Sequence, residues 1–297
     1  MNYKLVAFDL DGTVLDSNKY VSKKNRSAIW NLGKFNYTIV AATGRLYEGI
    51  PEPLRKIPFL RYCICANGAY IYDTALKRTI SRAEVPLESA LKFYEYMDTL
   101  DVLYDCYQGN TGYMTQDMYD RAEEYVPEKG ILQLVKTMRN PVPELKQYLR
   151  EKGEDMQKLQ AYFKDTELRD RRLQLLPKMF PELLFTTSVK NNIEVNSKYA
   201  SKGSALATLC DYLDIDISET VAFGDSLNDM DMIRRAGLSI AMGNAQDEIK
   251  EAADIVTLSN DEDGVADAVY KYLLKKDKKG HYHRIDDTNP LSIYKRK

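Results

Sequence analysis

Short apolar runs that stop at small or polar residues recur along this chain, and they limit the folds that it can adopt. Each run is nearly continuous in apolar character, as expected of parallel strands that are buried on both faces. Helical patterns separate several runs, at residues 22–35, 202–213 and 230–236. The predicted strands are residues 5–8, 37–42, 62–66, 220–223, 238–242 and 254–258. This alternation predicts an α/β core with a doubly wound parallel sheet.

The middle of the chain departs from this alternation. Between residues 84 and 198, strand pairs joined by turns are mixed with helical stretches, which is typical of an α+β domain. Because 297 residues exceed the usual size of one domain, we predict a core from residues 1–83 and 199–274 and an inserted domain at 84–198. Residues 275–297 carry eight basic and three acidic side chains, and we expect them to form a polar, basic, frayed C-terminal tail.

Charge and hydropathy argue against two classes of partner. The formal net charge is −2 and both signs are interspersed, so the sequence indicates no nucleic-acid-binding surface. No apolar stretch approaches the roughly 20 residues that span a bilayer, and the first apolar run is too short for a signal peptide. We therefore expect a soluble, cytoplasmic protein that binds neither nucleic acid nor membrane. Its four cysteines lack paired metal-ligand spacing and are expected to be buried and reduced.

Two carboxylates follow the first predicted strand, in residues 9–13 (DLDGT). Open α/β sheets bind ligands at the carboxyl ends of their strands, and Asp9 and Asp11 would point to the same side of an extended backbone. The pair suits a reaction in which Asp9 attacks phosphorus as the nucleophile and Asp11 serves as acid and base. The segment also suits a turn before Gly12 or a calcium loop.

Two further segments have the chemistry to receive a phosphoryl group. Residues 42–45 (ATGR) end a predicted strand, where Thr43 offers a hydroxyl and Gly44 allows close backbone approach at a helix start that favours anions. Lys202 opens the helix after the insertion, where its charge would offset those of a phosphoryl group and of Asp9. Taken alone, Thr-Gly is also a common helix cap, and Lys202 also fits a solvated surface lysine.

The fourth segment, residues 223–229 (FGDSLND), is rich in the oxygen ligands that Mg²⁺ prefers. We predict Asp225 as a metal ligand and Asp229 as a residue that supports the loop. A loop rich in Asp and Asn also fits ordinary turn chemistry. The four segments nevertheless occur in the order nucleophile, hydroxyl, lysine, acidic loop, each near a strand end or helix start. Together they predict a magnesium-dependent phosphohydrolase.

With these motifs the sequence resembles the haloacid dehalogenase (HAD) superfamily, and within it the Cof-type phosphatases, which carry a class IIB cap. The matching motifs are residues 9–13, 43–45, 202–203 and 224–229, and Asn67-Gly68 resembles the substrate-side turn of Cof-type enzymes. The resemblance extends from residue 3 to about residue 274. The inserted domain is similar to the family's cap in placement and length more than in motif.

The resemblance implies a Rossmann-like core, a cap that sets substrate choice, and a two-step reaction. Asp9 would form an aspartyl-phosphate while Asp11 protonates the leaving alcohol, and Asp11 would then activate water. Magnesium would be held by Asp9, the main-chain carbonyl of Asp11, and Asp225. The residues that would bind substrate are Thr43, Gly44, Arg45, Asn67, Lys202 and Asn228.

The expected substrate is a small phosphorylated metabolite, a sugar phosphate or a phosphorylated cofactor, bound by a monomer or a homodimer. A sugar phosphomutase of the same superfamily is an alternative, since it shares the two-aspartate motif and a similarly placed cap. A protein that keeps the fold but only binds a phosphometabolite is another. Loss of one of the aspartates would have favoured that second alternative, and all of them are present.

Overall fold

A computed structural model describes residues 2–109, 111–187 and 189–285 of the chain. The chain forms two compact units. The first unit is built from the chain up to Arg82 and from Ser201 onward, and the second is Ala83–Ala200. The second unit is therefore an insertion in the sequence of the first.

An eight-stranded sheet forms the centre of the first unit. The strands, in spatial order, are Ile255–Val256, Leu238–Ala241, Thr220–Gly224, Leu5–Phe8, Thr38–Ala42, Leu60–Cys65, Tyr70–Asp73 and Arg78–Arg82. The neighbours up to Leu60–Cys65 pair in parallel, and the last two strands are added antiparallel. The prediction of a doubly wound parallel sheet is confirmed, but the two antiparallel strands at its edge were not predicted.

The parallel strands are buried because helices cover the sheet. The α-helices of this unit are Lys23–Lys34, Glu52–Arg55, Lys202–Leu213, Met230–Arg235, Asp247–Ala252 and Gly264–Ala268. Three-residue helical turns are Tyr47–Gly49, Ala66–Gly68, Ile217–Glu219, Leu227–Asp229 and Asn260–Glu262, and Val269–Leu273 is a π-helix. Within the sheet, Phe8 stacks on Phe223 with ring centroids 4.8 Å apart. This contact packs the strand Leu5–Phe8 against the strand Thr220–Gly224, close to the point where each strand is followed by polar residues.

The beginning of the predicted tail belongs to the fold, so the expectation of a frayed segment is wrong for those residues. Leu274–Lys276 pairs antiparallel with Tyr282–Arg284. Tyr282 stacks on Tyr270 with ring centroids 4.8 Å apart, and the Arg284 guanidinium lies over the Tyr37 ring, 4.0 Å from its centroid. Aromatic and cation–π packing therefore hold this hairpin despite its basic composition. The rest of the predicted tail, residues 286–297, lies outside the described residues.

A six-stranded sheet forms the second unit. The strands, in spatial order, are Leu183–Thr186, Asn192–Ser197, Lys158–Phe163, Val102–Gln108, Thr111–Thr115 and Arg139–Val142. The helices are Leu87–Met97, Gln116–Asp120, Ala122–Tyr125, Lys129–Met138, Leu145–Lys152 and Thr166–Met179. One face of this sheet carries an apolar core that includes Phe93, Tyr94, Phe163, Leu159 and Val195. Side chains on the opposite face alternate with these along each strand.

Two further observations bear on the sequence predictions. Among the residues that the structure describes, no helix combines the length and apolar character that crossing a bilayer requires. The four cysteines are free and buried. Burial raises the pKa of the Cys65 thiol to about 12, so this thiol stays protonated and unreactive at neutral pH.

Candidate active site

Three neighbouring parallel strands end at one edge of the first unit's sheet, and each is followed by a predicted site residue. Asp9 follows the first strand, Thr43 the second, and Asp225 the strand that pairs with the first on its other side. The main-chain N–H of Asp9 donates to the carbonyl oxygen of Phe223 at 3.0 Å, which continues the pairing past the strand. The pairing of the strands therefore fixes the backbone positions from which these side chains extend.

Lys202 lies between two carboxylates. Its Nζ donates to Asp9 Oδ1 and to Asp229 Oδ1, each at 2.6 Å. The Lys202 side chain is fully buried, so this lysine is not the solvated surface residue that the sequence alone also allowed. Burial alone would lower the pKa of Lys202, but the charges of Asp229 and Asp9 outweigh burial and hold the pKa above its usual range. Lys202 is therefore a permanent cation beside Asp9.

Asp229 holds the acidic loop in place. Its Oδ2 accepts from the main-chain N–H groups of Asp225 at 3.0 Å and Ser226 at 3.1 Å, while Oδ1 receives Lys202. Both oxygens of this buried carboxylate are therefore occupied by donors from the protein. Asp229 therefore links Lys202 to the main chain of the acidic loop.

Asp225 faces the loop that follows the first strand. Its Oδ1 accepts from the Thr13 hydroxyl at 3.1 Å, and its Oδ2 accepts from the Ser226 hydroxyl at 2.9 Å. Gly12 has φ +83°, and a Cβ there would lie 2.4 Å from Asp225 Oδ2. A side chain at position 12 would therefore both strain the backbone and displace the Asp225 carboxylate.

We call Asp9, Lys202, Asp225 and Asp229 the catalytic cluster. Carboxylate oxygens of its three aspartates lie within 4.8 Å of one another. Burial, assisted by Asp229 and Asp225, raises the pKa of Asp9 although Lys202 opposes the shift. Burial and Asp229 likewise raise the pKa of Asp225. Three carboxylates against one lysine leave two negative charges without a counter-charge in the cluster when all are ionised, and a hard divalent cation fits this oxygen-only set.

Asp11 is held by two cations. Arg45 donates from Nε to Asp11 Oδ2 and from Nη2 to Oδ1, both at 2.7 Å, which is a bidentate pair. Lys19 Nζ lies 3.0 Å from Asp11 Oδ1. Burial alone would raise the pKa of Asp11, but the hydrogen bonds and charges of Arg45 and Lys19 outweigh it and hold the pKa well below the usual range. Asp11 is therefore ionised in this arrangement.

Thr43 follows the second strand and contacts Arg45, which pairs with Asp11. Its buried hydroxyl accepts from the main-chain N–H of Arg45 at 3.1 Å. Arg45 is also fixed through Nη1, which donates to the carbonyl of Gly49 at 2.8 Å. The guanidinium predicted to bind substrate is thus positioned by the turn that follows it and contacts the proposed acid and base directly.

Asn67 and Asn228 form a polar pair beside Gly44. The Asn67 main-chain N–H donates to the Thr43 carbonyl at 3.0 Å, and Asn228 Nδ2 donates to Asn67 Oδ1 at 3.2 Å. A Cβ at Gly44 would lie 2.9 Å from Asn67 Oδ1, so glycine is needed for this approach. Asn228 Oδ1 is buried without a hydrogen-bond partner among the described residues. An unpartnered buried acceptor suits a ligand that brings a donor.

The turn containing Asn67 also contacts the residue that precedes Lys202. Gly68 has φ +99°, and a Cβ there would lie 2.3 Å from the carbonyl oxygen of Ser201. Ser201 caps the helix Lys202–Leu213, with its hydroxyl accepting from the Ser204 N–H at 2.9 Å. The glycine thus lets the third strand's turn pack directly on the start of the lysine's helix.

Three contact residues were missing from the predicted site. Thr13 and Ser226 bind the Asp225 carboxylate, and both lie inside motifs already identified, so their motif positions were a usable signal. Lys19 reaches Asp11 from the loop after the first motif. Nothing in the sequence around Lys19 distinguishes it from the many solvated lysines of the chain.

Comparison with known proteins agrees with this geometry. The family model described as haloacid dehalogenase-like hydrolase matches residues 6–269. Phosphatase YwpJ of Bacillus subtilis is 31% identical over 292 residues, covering 91% of this chain and 100% of the relative. The 5-amino-6-(5-phospho-D-ribitylamino)uracil phosphatase YcsE of Bacillus subtilis is 31% identical over 274 residues, covering 92% and 97%.

Solved structures give the same result. A haloacid dehalogenase-like hydrolase from Bacteroides thetaiotaomicron superposes with a TM-score of 0.77 at 28% identity, covering 90% of this chain and 98% of that one. The family model spans well over half of the sequence, and these matches extend over nearly all of it. By sequence and by fold, this chain belongs to the haloacid dehalogenase-like hydrolases, among their Cof-type phosphatases.

Proposed function

We propose that the protein hydrolyses small phosphate monoesters, such as sugar phosphates or phosphorylated cofactors, with Asp9 as the nucleophile and Mg²⁺ as the cofactor. The observation that carries the proposal is the contact of Asp9 with Lys202 at 2.6 Å inside a cluster of three carboxylates. A buried lysine at this distance keeps Asp9 close to a positive charge while a phosphate dianion approaches.

The proposed reaction has two steps. In the first, a carboxylate oxygen of Asp9 attacks phosphorus, the bond from phosphorus to the ester oxygen breaks, and the leaving oxygen takes a proton from Asp11. In the second, water attacks the aspartyl-phosphate and gives its proton to Asp11. The bond between phosphorus and Asp9 then breaks, which releases inorganic phosphate and restores both aspartates.

The contact between Asp11 and Arg45 bears on both steps. The bidentate pair keeps Asp11 in the ionised form that can accept a proton in the second step, but it also lowers the proton affinity of that carboxylate. Both steps therefore require that Asp11 lose part of this pair, and before the first step Asp11 must also take up a proton from water. We therefore propose that an incoming phosphoryl group competes with Asp11 for Arg45.

The metal would be held by Asp9, Asp225 and the main-chain carbonyl of Asp11. Asp229 is left to support the loop, since protein donors already occupy both of its oxygens. When bound, the ion offsets the repulsion between the Asp9 carboxylate and the phosphate oxygens. Lys202, which contacts Asp9 Oδ1, would perform part of the same task.

Substrate choice is proposed to belong to the inserted unit. Two relatives are named for different substrates: YcsE for a ribitylaminouracil phosphate, and YbhA of Escherichia coli for pyridoxal phosphate. Both relatives span nearly the same length as this chain. A likeness along nearly the whole chain combined with different named substrates supports selection by residues outside the phosphoryl-transfer motifs.

The test uses p-nitrophenyl phosphate and a panel of sugar and cofactor phosphates, with Mg²⁺ or with EDTA. We expect inorganic phosphate to be released with Mg²⁺ only. Asp9→Asn should lower kcat on the order of 10⁴-fold or more, because the nucleophile is lost. The substitution is isosteric and removes one charge from a crowded set of carboxylates, so its thermal unfolding midpoint should not fall below that of the wild type.

The same assay separates the alternatives. Conversion of a hexose 1-phosphate to its isomer without release of inorganic phosphate would show a phosphomutase. Tight binding of these esters with neither reaction would show a non-catalytic binding protein. Full phosphatase activity in pure Asp9→Asn protein would refute the assignment of the nucleophile.

A further inference from the structure

Lys19 contacts the proposed acid and base from the loop of residues 16–20. Its Nζ lies 3.0 Å from Asp11 Oδ1, although 58% of the lysine side chain and 37% of the aspartate side chain are exposed. An ion pair this open to solvent adds little to stability, because water screens the attraction and ordering the long side chain costs entropy. The contact therefore needs an explanation other than stability.

The backbone at Lys19 is held in a conformation that lysine rarely adopts. Its φ is +66°, in the left-handed region where a residue with a Cβ is strained. Asp16 Oδ1 accepts from the main-chain N–H groups of Asn18 and Tyr20, each at 2.9 Å. The Asp16 carbonyl accepts from the Lys19 N–H, also at 2.9 Å. Since a strained residue persists only where its surroundings impose the conformation, these hydrogen bonds fix the backbone from which the Lys19 side chain extends.

A distant segment of the first unit anchors this loop. The Ser17 main-chain N–H donates to Asp261 Oδ1 at 2.8 Å, and the Ser17 hydroxyl donates to Asp261 Oδ2 at 2.6 Å. The neighbouring Asn260 donates from Nδ2 to the carbonyl of Leu15 at 2.9 Å. The loop is thus tied at two points to the helical turn Asn260–Glu262. These ties fix the position of Lys19 relative to the first motif.

The two cations beside Asp11 contact its oxygens differently. Arg45 donates to both Oδ1 and Oδ2, whereas the contact of Lys19 is with Oδ1. If an incoming phosphoryl group takes Arg45, Oδ2 therefore loses the Arg45 Nε contact while Oδ1 still has a cation. A carboxylic acid that carries its proton on Oδ2 can still accept a hydrogen bond at Oδ1. The contact of Lys19 is therefore compatible with both the acid and the base form of Asp11.

We propose that Lys19 is a positioning residue, which holds Oδ1 of Asp11 while Arg45 turns to the phosphoryl group, so that Oδ2 stays directed at the leaving oxygen. This inference rests on the proposed phosphatase activity and adds the residue that keeps its acid and base in place. The proton moves from Oδ2 to the leaving oxygen in the first step and from water to Oδ2 in the second. The ammonium of Lys19 gives up no proton in either step.

The first experiment changes the acidity of the leaving group and keeps its size similar. p-Nitrophenolate is a stable anion that departs without a proton, whereas phenolate depends more on protonation by an acid. Lys19→Met removes the ammonium and keeps an unbranched side chain. We expect kcat/KM for phenyl phosphate to fall on the order of 10-fold more than kcat/KM for p-nitrophenyl phosphate, part of the effect of general acid catalysis. An equal fall for both esters would overturn the inference.

The second experiment separates the charge of Lys19 from its backbone. Lys19→Arg keeps a cation and should return the ratio of the two kcat/KM values most of the way to wild type. Lys19→Asn removes the cation, but asparagine accepts a positive φ, so it should show the same selective loss as Lys19→Met. A wild-type ratio in Lys19→Asn, or a ratio in Lys19→Arg no better than in Lys19→Met, would contradict a role for the charge.

A matched control and the loop anchor complete the series. Lys24 is another exposed lysine of the first unit, paired with Asp263 at 3.0 Å, and Lys24→Met should leave both esters at wild-type values. Asp261→Ala releases Ser17 without changing Lys19, so it should lower kcat/KM less than Lys19→Met but with the same selectivity for phenyl phosphate. A loss without this selectivity would show that the loop does not act through Asp11.

Thermal unfolding checks that the variants fold. The Lys19 variants should have midpoints close to that of the wild type, because the ion pair is exposed. If the wild-type enzyme with Mg²⁺ releases no phosphate even from p-nitrophenyl phosphate, the proposed function itself is wrong. If p-nitrophenyl phosphate is hydrolysed but Lys19→Met lowers kcat/KM for both esters by the same factor, only the positioning role is wrong.

Discussion

The catalytic cluster buries a lysine against carboxylates, and so does a charged layer in the inserted unit's sheet, formed by Asp105, Arg139, Lys158, Gln160 and Glu194, but the two regions differ in charge balance. The cluster has three aspartates to one lysine, which contacts Asp9 and Asp229. In the layer, Arg139 pairs with Asp105 and Lys158 pairs with Glu194. The first arrangement has a charge deficit that a cation would fill, and the second has none. Burial of charged groups is therefore a poor guide to metal sites, and the count of opposite charges is a better one.

The two regions also differ in the backbone that carries them. The aspartates of the catalytic cluster lie on the loops and the helical turn that follow two strands, while all five residues of the charged layer lie within paired strands. Strand pairing holds a side chain at a fixed register. Loops leave the space beyond the strand ends open to a ligand.

Replacing Lys202 should have the largest effect among the substitutions that compare the two regions. Lys202→Met leaves Asp9 and Asp229 without their buried cation, so kcat should fall on the order of 10²-fold or more for every ester. Stability should fall by about 3–5 kcal/mol, the usual effect of breaking a buried pair. Steady-state kinetics and denaturant unfolding measure the two losses.

Lys158→Met is the matched change in the charged layer. It removes the cation that contacts Glu194 Oε1, so stability should again fall by about 3–5 kcal/mol, but kcat should not fall as it does in Lys202→Met. A kcat close to that of the wild type in Lys202→Met would remove this lysine from the site.

The increase in the free energy of unfolding that Mg²⁺ binding causes should distinguish the two regions. At a free Mg²⁺ concentration of about 100 times its Kd, binding should stabilise the wild type by about 2.7 kcal/mol. Asp225→Asn should lose most of this gain, yet without Mg²⁺ it should be at least as stable as the wild type, because one of the crowded carboxylates is neutral. Thermal unfolding with and without Mg²⁺ measures both. Glu194→Gln, in the charged layer, should keep the full magnesium shift, and an undiminished shift in Asp225→Asn would refute its role as a ligand.

The smallest expected effect concerns two glycines with similar backbone angles. Gly12 has φ +83° and Gly153 has φ +66°, so alanine at either position should cost about 1–2 kcal/mol of backbone strain. Only at Gly12 would the new Cβ meet Asp225, since nothing lies within 4 Å of a Cβ at Gly153. Gly12→Ala should therefore also weaken Mg²⁺ binding in a titration. Equal magnesium affinity in the two variants would show that the acidic loop moves aside freely.

The sequence predicted the catalytic cluster better than the charged layer for a physical reason. Asp9 and Asp225 follow short apolar strands, and parallel pairing brings the ends of such strands to one edge of a sheet. The contact of Arg45 with Asp11 depends on the path of the intervening loops, which no local pattern encodes. The contact of Lys19 with Asp11 likewise depends on the path of a loop.

Alternation along the strands of the inserted unit was visible but ambiguous. Glu194 lies between Ile193 and Val195, a pattern that fits a strand with one apolar face and leaves open whether the other face is exposed to solvent or buried. The structure buries it against Lys158. The two antiparallel strands Tyr70–Asp73 and Arg78–Arg82 were missed because their runs are short and partly charged.

The close contact of Gly68 with Ser201 has a consequence for how this enzyme can diversify. Both residues belong to the first unit, one shortly before the insertion leaves and one where the chain returns. The helix that carries Lys202 is thus seated by its own unit, whatever the intervening residues are. The inserted unit can therefore change in length or in sequence during evolution without moving the helix that carries Lys202.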